Sequence, residues 1–115
     1  MDNPVSNMTD KQGRQITIGG NGINIVAEHN GNEIGLFDFD ELEDENGSCT
    51  LLTNCNIESS YQKCGIGIEM IKLAEDWYGE FCIVDHLSTE GAAFINYCRQ
   101  NVFKLNHSLV KDDRF

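Results

Sequence analysis

The segment Gln62-Lys63-Cys64-Gly65-Ile66-Gly67 has residue types suited to binding an anion. It connects an apolar stretch that ends at Ile57 to a stretch with helical periodicity that begins at Gly65. The first turn of a helix exposes backbone N–H groups and carries the positive end of the helix dipole. Glycines would let a bulky pyrophosphate approach the backbone, and Lys63 would add a positive charge. A helix whose glycines only accommodate a preceding tight turn would show the same short pattern.

The elements before this segment are predicted to be strands. Alternating apolar residues indicate strands over residues 15–18, 23–28, 34–39 and 48–57. Turn residues separate them at 19–22 and 30–32, and an acidic loop is predicted over 40–47. These strands are therefore expected to form the antiparallel part of a sheet.

The elements after the segment are predicted to alternate between helix and strand. The helix that begins at Gly65 is expected to end at Gly79. A short buried strand is predicted over 81–84, then a second helix capped by Ser88 or Thr89 and running to Gln100, and one or two short strands between 103 and 110. This order predicts an α/β fold of the α+β type, with a mixed, mostly antiparallel twisted sheet and helices packed on it. The unit from residue 48 to 85 should be a right-handed parallel crossover.

The chain is expected to form one domain. Its 115 residues, 40% hydrophobic and 23% charged, are ordinary for a globular protein. Residues 1–13 are polar and contain the only proline, which predicts a flexible N-terminal arm before a domain over 14–115. No apolar run is long enough to span a bilayer, and the N-terminus lacks the apolar core of a signal peptide. A cytoplasmic location without membrane partners is expected.

The net charge of the chain indicates which classes of binding partner to expect. Nineteen acidic and eight basic residues give a net charge of −11, which repels phosphate backbones and argues against a nucleic-acid partner. Such a surface attracts a cationic small molecule or a basic peptide, although an acidic surface that only confers solubility would look the same. The five cysteines form no CxxC pair, so they predict small buried apolar residues and no metal site: Cys49, Cys55, Cys64, Cys82 and Cys98.

The pattern Gln62-x-x-Gly65-x-Gly67 resembles the (Arg/Gln)-x-x-Gly-x-(Gly/Ala) signature of the GNAT superfamily of N-acetyltransferases. Ile57 lies eight residues before Gly65, where the family has the last apolar residue of a strand. Further along, Ala93-x-x-x-Tyr97 resembles the family's Ala-x-x-x-Tyr on the next helix. The resemblance extends over residues 23–103 and is strongest over 57–68.

The resemblance implies an enzyme that transfers an acetyl group from acetyl-coenzyme A to a primary amine by direct attack, without an acyl-enzyme. The coenzyme would lie in a V-shaped opening between the strands at 48–57 and 81–84. The Ile57 backbone N–H would polarise the acetyl carbonyl, and Tyr97 would protonate the leaving thiolate, unless it is a buried core tyrosine. The implied cofactor-binding residues are Cys55, Ile57, Gln62, Lys63, Cys64, Gly65, Ile66, Gly67 and Ile68.

The chain departs from the family pattern at several catalytic positions. Glu90 replaces the asparagine usually found seven residues before the tyrosine, and Leu51 occupies the place of a glutamate base present in some members. Asp85, His86 and Glu58 are the alternative bases, and none of them is favoured by the sequence. The assignment of the base therefore stays open.

The N-terminal part departs from the family as well. The 22 residues before Ile23 leave no room for the helix pair that usually shapes the acceptor pocket. The acceptor side is then either open or completed by a second subunit in a homodimer. Two other functions are compatible with the sequence: a GNAT-fold module that binds coenzyme A without catalysis, and an interaction protein whose acidic loop, residues 41–45, contacts a basic partner.

Overall fold

A single sheet of seven strands organises residues 3–44 and 47–111, the part of the chain that the computed structural model describes. The strands lie side by side in sequence order: β1 (Asn3–Thr9), β2 (Gln15–Asn21), β3 (Asn24–His29), β4 (Asn32–Asp44), β5 (Gly47–Ile57), β6 (Cys82–Val84) and β7 (Leu109–Val110). Neighbours from β1 to β5 are antiparallel, whereas β5–β6 and β6–β7 are parallel. The predicted mixed, mostly antiparallel sheet is thus confirmed.

Two α-helices pack on the sheet. Helix α1 (Ile66–Tyr78) lies against β2 and β3, and α2 (Thr89–Asn101) lies against β5. The apolar face of α1 is fully buried at Met70, Ile71 and Ala74, as its periodicity predicts. A short 3₁₀ turn, Ser59–Tyr61, connects β5 to the segment before α1. Neither described helix combines the length and the apolar composition needed to cross a membrane.

The N-terminal residues differ from the sequence-based prediction. Residues 3–9, predicted as part of a flexible arm over 1–13, form β1 and pair with β2. The strand lacks an apolar alternation because it is an edge strand whose side chains are almost all exposed. Gly19 makes the pairing possible, since a Cβ atom there would lie 2.1 Å from the carbonyl oxygen of Asn3. Met1 and Asp2 lie outside the described residues.

Two predicted loops are also shorter than expected. Gly19 and Gly20 belong to β2, and the turn is confined to Gly22 and Ile23. The acidic stretch predicted as a loop continues β4 to Asp44 and pairs with the start of β5. Its residues 40, 41 and 43 are exposed, so no apolar alternation reveals the strand. Glu45 and Asn46, the remainder of that predicted loop, lie outside the described residues.

A buried carboxylate anchors the chain after α2. Glu75 of α1 accepts hydrogen bonds from the backbone N–H groups of Lys104 (3.2 Å) and Leu105 (3.0 Å) and from Nε2 of His107 (2.8 Å). Nδ1 of the same imidazole lies 3.1 Å from the Phe81 nitrogen and 3.2 Å from the Phe81 carbonyl oxygen. This network fixes the β6–β7 side of the sheet relative to α1.

Candidate functional site

The sheet opens between β5 and β6. The two strands pair at Leu51–Cys82 and Leu52–Ile83, and β5 then continues to Ile57 without β6 beside it in the described structure. The register between β4 and β5 shifts next to Asp38, so that one extra residue, Thr53, bulges from β5. A bulge bends a strand and increases its twist. The end of β5 is thus open at the carboxyl ends of two parallel strands, where ligands of such sheets commonly bind.

The opening contains a cavity of about 830 Å³. Its walls come from the end of β5, the segment before α1, the first turn of α1 and one face of α2. Eight of the predicted site residues line it: Cys55, Ile57, Gln62, Lys63, Gly65, Gly67, Ile68 and Tyr97. The side chains of Cys64 and Ile66 are instead buried in the core, 5% and 1% exposed, so these two residues could serve a ligand only through their backbone.

The backbone at the end of β5 presents donors to the cavity. The Glu58 N–H donates to the carbonyl oxygen of Ile34 (2.8 Å), and Gly35 is the partner of Ile57 in the ladder. Successive residues of an antiparallel strand direct their N–H groups to opposite sides. The N–H groups of Ile57 and Cys55 therefore point away from β4, towards the opening. The Ile57 carbonyl is already occupied, because it accepts a hydrogen bond from Nε2 of Gln62 (2.8 Å).

The first turn of α1 is an uncapped helix N-terminus. Gly65 precedes the helix with a φ of +91°, which favours glycine, and no side chain caps the helix. The first helical bond is donated by Glu69 to the Gly65 carbonyl, which leaves the N–H groups of Ile66, Gly67 and Ile68 without intrahelical partners. The backbone N–H of Gln62 is occupied in the described structure, because it donates to the Ser59 carbonyl (3.3 Å).

The loop between β1 and β2 supports this segment from outside. The Lys11 N–H donates to the Cys64 carbonyl (3.2 Å), and Nη2 of Arg14 donates to the Ser60 carbonyl (3.0 Å). The Arg14 guanidinium also lies 3.9 Å from the centre of the Tyr61 ring. Sequence analysis missed this contact because it placed residues 10–13 in a flexible arm. The one available signal was Asp10 ahead of Gly13, a pairing typical of turns.

Asp10 organises the loop. Its fully buried carboxylate accepts hydrogen bonds from the backbone N–H groups of Gln12 and Arg14 and from Nε of Arg14, the last at 2.8 Å. Burial raises the pKa of Asp10, but these hydrogen bonds and the Arg14 charge outweigh burial, and the pKa lies below the ordinary 3.8. The ionised carboxylate is thus the form that the folded loop favours.

The variant Asp10→Asn should lower the unfolding temperature by several degrees at pH 7. A depressed pKa contributes stability that is present above pH 3.8 and is lost as the pH falls further. The difference between wild type and variant should therefore shrink below pH 3.8 in a series of thermal unfolding curves. Asp76→Asn, which removes an exposed carboxylate of α1, is the control and should change little. A constant difference across that range would contradict the role of the ionised carboxylate.

Tyr97 stands on the cavity wall formed by α2. It lies seven residues after Glu90 with Phe94 between them, so all three face the cavity from one side of the helix. The Tyr97 side chain is 50% exposed, which excludes the alternative of a buried core tyrosine. Ser88 caps the helix by accepting a hydrogen bond from the Gly91 N–H (3.1 Å), so α2 begins at the rim of the opening.

The predicted bases separate into two groups. Glu58 lines the cavity, whereas Asp85 and His86 follow the end of β6 and are not among the lining residues. Asp85 instead continues the sheet, with its N–H donating to the Val110 carbonyl (2.9 Å). Glu90 also lines the cavity, although the sequence marked it only as a departure from the family pattern. Carboxylates are thus available within the site.

Sequence reasoning missed an aromatic part of the wall. Phe37 and Phe94 both line the cavity and meet edge to face with ring centres 5.7 Å apart. A Cβ atom on Gly67 would lie 3.0 Å from the Phe94 ring, so this glycine lets α1 and α2 approach closely. The sequence predicts that Phe94 belongs to the second helix, but it does not predict which side of that helix faces the cavity.

The cysteines are free thiols, and most are shielded. Burial raises the pKa of Cys55 above its usual range and that of Cys98 to about 12. Cys64 is buried and donates from its thiol to the Gln62 carbonyl (3.3 Å), as a packing residue would. The prediction of burial is wrong for Cys49, which is exposed because it lies where β5 extends past the start of β6. Among residues 3–44 and 47–111, no cluster of three or more potential ligands could hold a metal ion.

Solved structures of aminoglycoside acetyltransferases are similar to this chain. One comes from an uncultured soil metagenomic sample and is in complex with sisomicin; it has 13% identity and a TM-score of 0.58, over 80% of this chain and 64% of that one. The same enzyme with trehalose has 14% identity and a TM-score of 0.56 at the same coverage. Aminoglycoside N-acetyltransferase AAC(6')-Iy in complex with coenzyme A has 14% identity and a TM-score of 0.51, over 87% of this chain and 68% of that one.

The similarity establishes the fold. The chain has the GNAT acyltransferase fold and spans 64% of the length of the first two structures. No family model matches the chain, and no curated protein matches its sequence. The predicted fold is confirmed, and no α-helix precedes α1 in the described residues, where the family usually has a helix pair.

Proposed function

We propose that the chain transfers an acetyl group from acetyl-coenzyme A to a primary amine. The observation that supports this most is the convergence of three features on one cavity: the free strand end with the Ile57 N–H, the uncapped start of α1, and the Tyr97 side chain. Acetyl transfer from a thioester requires a fixed hydrogen-bond donor for the carbonyl oxygen, a site for the coenzyme phosphates and an acid for the leaving thiolate. All three must lie along the same cavity.

The residues that line the cavity have the chemistry to bind the coenzyme. The N–H groups of Ile66, Gly67 and Ile68, with Lys63 beside them, would hold the pyrophosphate. The pantetheine arm has amide groups that can pair with the backbone of Cys55 and Ile57 as an added strand would. This arrangement would carry the acetyl group along β5 towards Tyr97. A structural neighbour binds coenzyme A, which supports the same ligand here.

The chemistry is a direct displacement. The amine attacks the acetyl carbonyl carbon, the oxygen gains negative charge, and the Ile57 N–H stabilises that charge. The carbon–sulfur bond then breaks, and the thiolate takes a proton from the Tyr97 hydroxyl. The nitrogen, now bonded to the acetyl carbon, releases its surplus proton, which restores the Tyr97 hydroxyl directly or through water. Before the attack, the amine loses its own proton to a carboxylate, directly or through water. Glu58 and Glu90 are the carboxylates in the cavity wall that can receive it.

The acceptor is proposed to be a cationic amine. Glu58 and Glu90 give the cavity wall negative charge, and the whole chain has a net charge of −11. A structural neighbour is in complex with sisomicin, an aminoglycoside, which supports an acceptor with amino groups. The same charge would also admit the lysine side chain of a basic peptide. A second copy of the chain in a homodimer would complete the acceptor side if it is not open.

A coenzyme-binding module without catalysis is the second candidate. Leu51, which is fully buried, stands where some family members have the glutamate base. That strand position therefore supplies no ionisable group. This candidate keeps the same cavity and the same coenzyme and differs only in turnover.

One pair of measurements tests both candidates. Calorimetric titration of the chain with acetyl-coenzyme A should show binding, and thiol release in the presence of a panel of primary amines should show turnover. Binding without release for any amine would favour the non-catalytic module. If titration detects no binding of the coenzyme, both proposals are wrong.

The variant Lys63→Asn should weaken the binding of coenzyme A by about tenfold, or about 1.4 kcal/mol. Lys63 has a φ of +60°, a conformation that asparagine adopts more readily than lysine, so the variant removes the charge without straining the backbone. The unfolding temperature of the free protein should not fall. Lys63→Arg should keep the affinity, and an unchanged dissociation constant in the asparagine variant would contradict the phosphate contact.

A further inference from the structure

We propose that Lys11, on the loop between β1 and β2, is a second phosphate ligand of the coenzyme site. The inference rests on the proposed function, since it assigns a residue to the same ligand. Lys11 lines the 830 Å³ cavity together with Lys63 and Gly65, although it lies more than fifty residues before them in the chain. The local motif alone gives no indication of this residue.

The loop holds Lys11 in place. The Lys11 N–H donates to the Cys64 carbonyl (3.2 Å), directly beside the residues that begin α1. The loop closes on itself through the Asp10 N–H, which donates to the Arg14 carbonyl, and through the Gly13 N–H, which donates to the Asp10 carbonyl. Because the backbone of Lys11 is fixed against the anion-binding segment, a ligand would have to order only its side chain.

Arg14 has a different role. Its Nε is bonded to Asp10, its Nη2 to the Ser60 carbonyl, and its guanidinium plane lies over the Tyr61 ring. Through these contacts the guanidinium holds the β1–β2 loop against the 3₁₀ turn, so it is not free to bind a ligand. Arg14 is therefore a positioning residue, and Lys11, whose side chain is exposed at the cavity, is the group available to a phosphate.

The distribution of charge gives the reason for a second cation. Only eight of the 115 residues are lysine or arginine, yet Lys11, Arg14 and Lys63 all lie at or beside this cavity. Coenzyme A carries a pyrophosphate and a 3′-phosphate, so an acidic protein must offset a strong repulsion at its binding site. The helix N-terminus and Lys63 would offset one part of this charge, and Lys11 would add a cation from the loop between β1 and β2.

Titration calorimetry of wild type and Lys11→Met with coenzyme A and with 3′-dephospho-coenzyme A tests the proposal. The variant should bind coenzyme A about five- to tenfold more weakly than wild type. A loss seen only with coenzyme A would assign Lys11 to the 3′-phosphate. An equal loss with both ligands would assign it to the pyrophosphate, and both results support the proposal. Equal affinity of variant and wild type for both ligands would overturn it.

Two further variants make the result specific. Lys104→Met removes the same charge from a residue that does not line the cavity, and its affinity should match that of wild type. Lys11→Arg should restore binding, which a purely structural role of the backbone would not predict. The unfolding temperature of Lys11→Met should equal that of wild type, because its backbone hydrogen bond is kept. If the wild type binds neither ligand, the proposed function and the role of Lys11 are both wrong. If wild type and Lys11→Met bind both ligands equally well, only the role of Lys11 is wrong.

Discussion

Replacing Tyr97 with phenylalanine should lower the turnover of acetyl transfer by about 10²-fold or more while leaving coenzyme affinity nearly unchanged. The hydroxyl is expected to act after the coenzyme is bound, when the thiolate leaves. The ring itself, half-exposed on the wall of the cavity, is retained in the variant. Because the side chain is open to solvent, removing its hydroxyl leaves no buried polar group unsatisfied.

The measurement separates the catalytic step from binding. Thiol release at saturating acetyl-coenzyme A gives kcat, and calorimetry gives the dissociation constant of coenzyme A. Tyr78→Phe is the matched control, because its hydroxyl donates to the Ile23 carbonyl away from the cavity. This control should lower the unfolding temperature and leave kcat unchanged. If Tyr97→Phe has the kcat of the wild type, Tyr97 is not the acid that protonates the thiolate.

The conformation of the segment before α1 could be predicted because its features are local. Gly65 is followed at once by a periodic apolar pattern, and both the positive φ of a glycine and the free N–H groups of a first helical turn arise within a few residues. Ile57 could be placed at the end of a strand for the same reason. The direction of its N–H group, however, depends on the register between β4 and β5, which the sequence does not contain.

The missed features involve long-range contacts or exposed strands. β1 is polar because it is an edge strand, and only its pairing with β2 distinguishes it from a flexible arm. Arg14 reaches the 3₁₀ turn across 46 residues of chain, and no periodicity predicts that contact. Glu58 lines the cavity and His86 does not, and this difference depends on where β5 and β6 separate, which the sequence does not show. Tyr97 was identified through the family resemblance and not through any pattern of its own helix.

The variant Gly67→Glu should weaken coenzyme A binding by about 10²-fold or more, which corresponds to about 2.7 kcal/mol. A Cβ atom at this position would lie 3.0 Å from the Phe94 ring and 3.2 Å from Cδ1 of Ile57, so a longer side chain cannot fit between the helices. It must extend along the cavity wall that Gly67 lines. There a carboxylate both fills the space of the pyrophosphate and repels it.

Smaller and neighbouring substitutions keep this test decisive even if the glutamate variant folds poorly. Gly67→Ala adds one methyl group and requires the Phe94 ring to move by a few tenths of an ångström, so its affinity should lie between those of wild type and the glutamate variant. Ile68→Glu places a carboxylate at the next lining position, which is half-buried, without entering the Phe94 contact. Because both changes act on the same free N–H groups, a folded Ile68→Glu protein that binds the coenzyme with wild-type affinity would show that the diphosphate does not lie at the start of α1.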